Sequence, residues 1–135
     1  MPDAATWQAG PDTDVEIARR VFGEQIGQYE TDDGPHRFVQ SYGIVRDISP
    51  FSSEIGAAWS VVEHLRDRGY VVRVIEHPEA ARHDSETRRS WLDRRAECVV
   101  EQNVRGVRRR AGHGYASTAA LAICRAALAA VITRT

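Results

Sequence analysis

The sequence predicts an α/β fold of the α+β type, with helices packed on both sides of a small, mainly antiparallel sheet. Three observations predict it. Residues 52–68 have helical apolar periodicity and lead directly into the β-forming run Tyr70–Ile75. A turn signal at residues 103–106 separates two short β-forming runs. Residues 118–132 form a second helical pattern, which is apolar over most of its circumference.

The composition is that of one globular domain. The chain has 135 residues, of which 42% are hydrophobic and 27% are charged, and a chain of this size buries a core without disulfides or metals. The formal net charge of −1 predicts no strong attraction to nucleic acid or to anionic membranes, so neither is an expected partner. All 18 basic residues are arginine. This reflects either the codon usage of a GC-rich genome or selection for the bidentate geometry of guanidinium.

The cysteine count and the apolar segments favour a cytoplasmic location. Two cysteines are too few for a secreted disulfide scaffold in a chain this short. The polar N-terminus lacks the basic and apolar regions of a signal peptide. The longest apolar stretch, Ala119–Ile132, has 14 residues and contains Arg125, whereas a membrane-spanning helix needs about 20 residues.

The beginning of the chain has the least regular pattern. Residues 1–12 are expected to form a flexible N-terminal arm, and residues 13–135 a single domain. Asp12 or Thr13 would cap a short helix at the start of that domain. Residues 28–36 are typical of a turn region.

The elements that follow come in a clearer order. Residues 37–48 hold either a short strand, over Arg37–Tyr42, or an ordered loop. Ser52 or Ser53 would cap the next helix, and Gly69 would end it. Its apolar face is expected to consist of Ile55, Ala58, Trp59, Val62 and Leu65.

The second half of the chain predicts a hairpin and a closing helix. Residues 79–95 form a variable, charged insertion, which is either a helix or a mobile segment. A strand over Ala96–Gln102 and a returning strand over Val107–Gly112 would flank the turn. The apolar closing helix lies either in the centre of the fold or under another subunit, and the second alternative predicts a homo-oligomer.

The best candidate for a functional site is the basic, glycine-bearing segment before the closing helix. Free backbone N–H groups at a helix start bind anions, and glycines allow the backbone to approach a phosphate closely. The spacing matches no P-loop or dinucleotide fingerprint. The alternative interpretation is a solvated basic hairpin edge followed by an ordinary helix cap. The predicted ligand-binding residues are Arg108, Arg109, Arg110, Gly112, His113, Gly114, Tyr115, Ser117 and Thr118.

No pattern indicates a metal, a cofactor or a catalytic residue. The histidines and cysteines show no ligand-pair spacing. Cys98 with a histidine would make a nucleophile and base, but a small core residue is the better interpretation. Trp59 is expected in the core, whereas Trp91 would line a pocket or an interface.

Two segments resemble a known family of small phage proteins. Residues 51–65, followed by Arg68-Gly69-Tyr70, are similar to the aromatic-Ser-Thr-Asp-Ile-Ala-Ala-Ala-Trp helix and the following strand of the phage ABA sandwich family. Residues 117–128 resemble its closing helix, and residues 15–23 its opening helix. Gly56 departs from the usual alanine, and residues 79–95 are longer and more charged than in the family.

The resemblance implies a phage or prophage protein, acting in the cytoplasm of an infected or lysogenic bacterial host, with helices packed around a small antiparallel sheet. It supplies no catalytic residues. We therefore expect a non-enzymatic accessory protein that binds an anionic small molecule of the nucleotide type, with sequestration of a host nucleotide signal as its purpose. The alternative is a protein–protein interaction module that uses the closing helix and Trp91.

Overall fold

The part of the chain that the structure describes forms three helices and two three-stranded antiparallel sheets. The computed structural model describes residues 7–77 and 94–132. In chain order the elements are α1 (Pro11–Glu16), which continues as a π-helical turn (Ile17–Val21), β1 (Gln25–Thr31), β2 (Gly34–Ser41), β3 (Ile44–Asp47), α2 (Ile55–Asp67), β4 (Tyr70–Glu76), β5 (Ala96–Val104), β6 (Val107–Ala116) and α3 (Ala119–Ile132). The predicted α+β class is confirmed, but the strands form two sheets where the sequence predicted one. The predicted insertion at residues 79–95 lies almost entirely outside the described residues.

The second sheet, with strand order β4-β5-β6, is the platform for the candidate site. Alternate residues of β5 point to the core, and Ala96, Cys98 and Val100 are buried, as is Val99 between them. We call the opposite side, which carries Glu97 and Glu101, the outer face of the second sheet.

Helix α3 lies in the centre of the fold. It packs on β5 and β6 and also contacts α2 and the π-helical turn. Nine of its residues are buried, and this packing accounts for the apolar circumference seen in the sequence. The chain itself therefore covers α3, and the helix no longer supplies a reason to expect a homo-oligomer.

The first sheet, with strand order β1-β2-β3, corrects the prediction for residues 28–36. Residues 28–31 belong to β1, and β2 begins at Gly34, so only the two residues between them form the turn. Both faces of this hairpin are largely exposed, and Val39 is the buried hydrophobic residue of β2. Apolar alternation arises when one face of a strand is buried, and these strands consequently lack that signal.

The start of α2 also differs from the prediction. The residue before the helix is Glu54, which makes no side-chain cap, so neither Ser52 nor Ser53 caps it. Ser52 is fully buried instead, and its backbone N–H and its hydroxyl donate to Asp14 Oδ1 at 2.8 and 2.6 Å. Trp59 is 39% exposed, so its predicted place in the core is wrong. Val61 takes that place on the buried face.

The described part of the predicted N-terminal arm lies against the domain. Trp7 packs on the core, and its carbonyl accepts a hydrogen bond from Arg125 Nε at 2.7 Å. Helix α1 begins at Pro11, slightly before the predicted cap at Asp12 or Thr13. No helix within residues 7–77 and 94–132 is long and apolar enough to cross a membrane.

Candidate functional site

Strands β5 and β6 form the hairpin that carries most of the predicted ligand-binding residues. Its turn is Arg105-Gly106, with Val104 paired to Val107, and both turn residues have positive φ, at 53° and 80°. Two successive residues with positive φ make a type I′ turn, which matches the twist of a hairpin. The returning strand continues to Ala116. The strand therefore extends four residues beyond the predicted end at Gly112 and includes His113, Gly114 and Tyr115.

Gly112 and Gly114 have a packing role in this strand. A Cβ atom on Gly112 would lie 2.2 Å from the carbonyl oxygen of Ala126, and one on Gly114 would lie 2.8 Å from that of Ala122. Both glycines therefore face α3 and allow the helix to approach the sheet closely. The interpretation that they bring backbone close to a phosphate does not fit this position.

Ser117 and Thr118 form the bend between β6 and α3, and both are exposed. Thr118 Oγ1 accepts a hydrogen bond from the backbone N–H of Leu121 at 3.3 Å. This confirms one of the two predicted caps. Because the hydroxyl accepts a hydrogen bond from this N–H group, the group is not available to bind an anion.

The three successive arginines of β6 are exposed along their strand. Arg108 lies opposite Asn103 and Arg110 lies opposite Glu101, so both belong to the outer face. Arg109 lies opposite Gln102 and points the other way. None of the three forms an ion pair with another described residue.

A polar cluster lies farther along the outer face, centred on Glu97. Its carboxylate binds His77 Nε2 at 2.9 Å through one oxygen and His113 Nε2 through the other. The Tyr115 ring meets the His113 ring edge-on at 4.5 Å, and the Arg94 guanidinium lies 5.1 Å from the centre of the Tyr115 ring. We call these five residues the Glu97 cluster.

Ionised Glu97 is the charge that holds this cluster together. Burial raises the pKa of its carboxyl, but hydrogen bonds from His113, His77 and Tyr115 outweigh burial, so the pKa lies below its ordinary value. The sequence analysis found His113 and Tyr115 but missed Glu97, His77 and Arg94. The chain spacing of the missed residues gave no sign that they meet, because hairpin register and the pairing of β4 with β5 bring them together.

The acidic neighbours of the arginines are engaged by other groups. Glu101 Oε1 accepts from both Nη2 and Nε of Arg73, at 3.0 and 3.1 Å. Glu97 is held between the two histidines. Neither Arg108 nor Arg110 has an acidic partner among the described residues, and both lie on the face that carries the rings of His113 and Tyr115.

The described residues give little support for covalent catalysis or for metal catalysis. Cys98 is fully buried, which raises the pKa of its thiol to about 12, and burial raises the pKa of Cys124 as well. Neither thiol is therefore a ready nucleophile. Among the described residues, no group of three His, Cys, Asp or Glu side chains is placed to hold a metal ion.

Two further concave features lie away from the hairpin. A cleft of about 390 Å³ beside α1 is lined by Asp14, His36, Arg37 and Asp47, among others. A shallow groove of about 650 Å³ follows β4, where Ile55 and Trp59 of α2 form its apolar side. These two residues are 48% and 39% exposed.

The comparisons with known proteins agree with this architecture. The family profile described as Phage ABA sandwich domain matches residues 16–128. A 2.0 Å crystal structure of a phage protein from Bacillus cereus ATCC 14579 is similar, with a TM-score of 0.58 and 27% sequence identity over 93% of this chain and 98% of that one. No curated protein matches the chain. The match spans α2, the second sheet and most of α3, and the chain belongs to the phage ABA sandwich domain family.

Proposed function

We propose that the protein is a non-enzymatic phage accessory protein that binds an anionic small ligand of the nucleotide type along the outer face of β6. The observation that carries the proposal is the alignment of two free arginines with two flat rings on one face of one strand. Arg108 and Arg110 supply the cations, and His113 and Tyr115 supply the rings.

Each group suits one part of a nucleotide. Guanidinium binds phosphate in a bidentate manner, and a nucleobase stacks on aromatic rings. Arg110 and His113 lie opposite Glu101 and Val99, which are two residues apart on β5, so at about 3.4 Å per residue they are separated by roughly 7 Å, a distance that a phosphate–sugar–base unit spans. Contacts within the Glu97 cluster fix the orientation of the two rings, because Glu97 binds His113 and the Tyr115 ring packs edge-on against His113.

Sequestration requires binding alone. A protein that removes a host nucleotide signal needs no turnover, so the absence of an accessible thiol in the described residues is compatible with that purpose. Membership of a phage family supports a role in infection. Counter-defence is therefore the purpose that we propose for the bound ligand.

Isothermal titration with mono-, di- and cyclic nucleotides tests the proposal. Arg110→Gln should weaken the binding of a nucleotide ligand by about ten-fold, because one charge-assisted contact is worth roughly 1.5 kcal/mol. Arg19→Gln is the matched control, since it removes one exposed arginine from the π-helical turn and leaves the hairpin intact. No heat and no thermal shift with any nucleotide at millimolar concentration would reject the proposal.

A second candidate function is a protein interaction at the β4 edge. Ile55 and Trp59 are exposed beside β4, which is an edge strand of the second sheet among the described residues. The predicted interaction through the closing helix loses its support because α3 is buried, and Trp91 lies outside the described residues. We propose a second copy of the chain as the partner here. Native mass spectrometry should then show an oligomer that Trp59→Ala dissociates, and a monomeric wild-type protein would reject it.

A further inference from the structure

We infer that the end of the β5–β6 hairpin, residues 102–110, is an arm that binds duplex DNA by entering its major groove. We call these residues the hairpin arm. The inference deepens the proposed function, because it rests on phosphate recognition by the same arginines, but it names a polymeric ligand.

The hairpin arm has a shape that fits a groove of duplex DNA. Strand β4 pairs with β5 only as far as Gln102, opposite Tyr70, so the residues beyond form a two-stranded ribbon without a third strand. Every residue from Asn103 to Arg110 is exposed. The major groove of B-DNA, about 12 Å wide, admits a two-stranded β-ribbon. The type I′ turn at Arg105-Gly106 gives the ribbon a preset end.

The hairpin arm also carries a concentrated positive charge. The hairpin arm has four arginines and no acidic residue; these arginines are Arg105, Arg108, Arg109 and Arg110. The acidic residues of β5 are Glu101, which pairs with Arg73, and Glu97, which binds two histidines. The sequence predicted no attraction to nucleic acid from the net charge of −1, which describes the whole chain and not the charge of this arm. Glu97 lies outside the arm, and the carboxylate of Glu101, although it lies opposite Arg110, pairs with Arg73, so the arm keeps a local excess of positive charge.

The arginines of the hairpin arm are distributed around the ribbon. Arg108 and Arg110 lie on one face, Arg109 lies on the other, and Arg105 is in the turn. Guanidiniums that point in different directions cannot converge on one small phosphate. They do match the two phosphate backbones that border a groove. The nucleotide site alone leaves Arg105 and Arg109 without a role.

The remaining side chains of the arm suit the edges of base pairs. Val104 and Val107 are 38% and 56% exposed at the end of the ribbon, and apolar side chains contact thymine methyl groups in the major groove. The amides of Gln102 and Asn103 are of the kind that pairs with adenine there. The arm therefore carries groups for both phosphate and base contacts.

Fluorescence anisotropy with a labelled short DNA duplex, measured over a salt series, tests the inference on the whole chain. The double variant Arg105→Asn/Arg109→Gln should weaken binding at least ten-fold. It should also lower the slope of log affinity against log salt by about 2, since each lost phosphate contact removes roughly one counterion. Asn is favoured in a type I′ turn, so this variant should fold.

The matched control is Arg19→Gln/Arg46→Gln, which removes the same charge from two other exposed positions. Its affinity and salt slope should stay close to wild type. An equal loss in the control, or no duplex binding by the wild type at low salt, would overturn the inference. Equal affinity for an RNA duplex would also overturn it, because the major groove of A-form RNA is too deep and narrow for the arm.

The two proposals fail separately. Nucleotide binding without duplex binding would leave the proposed function standing and remove the arm. Duplex binding that is lost in Arg105→Asn/Arg109→Gln, without binding of any nucleotide, would support the arm and remove the small-ligand site.

Discussion

Replacing Gly112 by alanine tests whether this glycine serves packing or ligand approach. The added Cβ would lie 2.2 Å from the Ala126 carbonyl oxygen and 2.7 Å from the Ala130 backbone nitrogen. Both atoms belong to the backbone of α3, so no side-chain rotation relieves the contact. The helix or the strand would have to move by about 1 Å to reach an ordinary separation.

The cost of that movement is large because α3 contacts β5, β6, α2 and the π-helical turn at once. Overpacking lowers the free energy of unfolding by about 1–3 kcal/mol where side chains can adjust. A clash with backbone atoms should cost as much as the upper end of this range or more. We expect Gly112→Ala to lower the free energy of unfolding by about 3 kcal/mol or more. Gly114→Ala, whose Cβ would lie 2.8 Å from its nearest neighbours, should lose about half as much.

Urea denaturation followed by circular dichroism measures both effects. Gly56→Ala is the matched control, because a Cβ there meets nothing within 4 Å and alanine favours a helix. It should raise stability by roughly 0.5 kcal/mol. A Gly112→Ala protein that is as stable as wild type but has lost nucleotide binding would refute the packing interpretation and restore a ligand role.

Four other predictions follow from single contacts. Arg105→Asn should raise the melting temperature by about 3 °C, because Asn tolerates the positive φ of this turn position better than Arg; a lower value would contradict the turn assignment. Asp14→Ala should cost about 2–3 kcal/mol in urea denaturation by leaving the N–H of its buried partner unpaired, and Asp14→Asn, which keeps an acceptor, should cost less. Cys98 and Cys124 should resist a thiol reagent in the folded protein at pH 8 and react after unfolding; rapid labelling would show an open core. Because the folded pKa of Glu97 lies below its ordinary value of 4.5, the stability it contributes is present above that pH and is lost as the pH falls further; Glu97→Gln should flatten this acid limb in pH-dependent denaturation.

Elements with one buried face could be predicted from the sequence. Helix α2, strand β4 and helix α3 bury an apolar stripe or run, and their predicted ranges agree with the structure to within a few residues. The first sheet could not be predicted, because β1 is exposed along most of its length and shows no alternation. Ser52 illustrates a second limit: it has the composition of a cap, but a partner 38 residues away in the chain determines its role.

The candidate site shows why motif composition alone gave a mixed set of residues. A strand presents successive residues to opposite faces, so a contiguous motif in β6 divides between the core and the solvent. Gly112 and Gly114 face the core, whereas His113 and Tyr115 lie on the outer face. The sequence predicted a strand only as far as Gly112, and it assigned nine residues between Arg108 and Thr118 to one ligand.

This division has a mechanical consequence for the proposed ligand site. The glycines let α3 lie directly on β6, and the central helix thereby holds the strand against the core at two successive inward positions. The outward residues, in turn, make no contribution to that packing, so Arg110 can be changed without disturbing the core. The same close packing ends at Gly112, next to a register shift between Val100 and Glu101, and the two-stranded ribbon begins beyond Gln102. With a rigid base and a projecting arm, the site can present its arginines to phosphates without first ordering a flexible loop. Such a preorganised site avoids the entropy cost of ordering on binding.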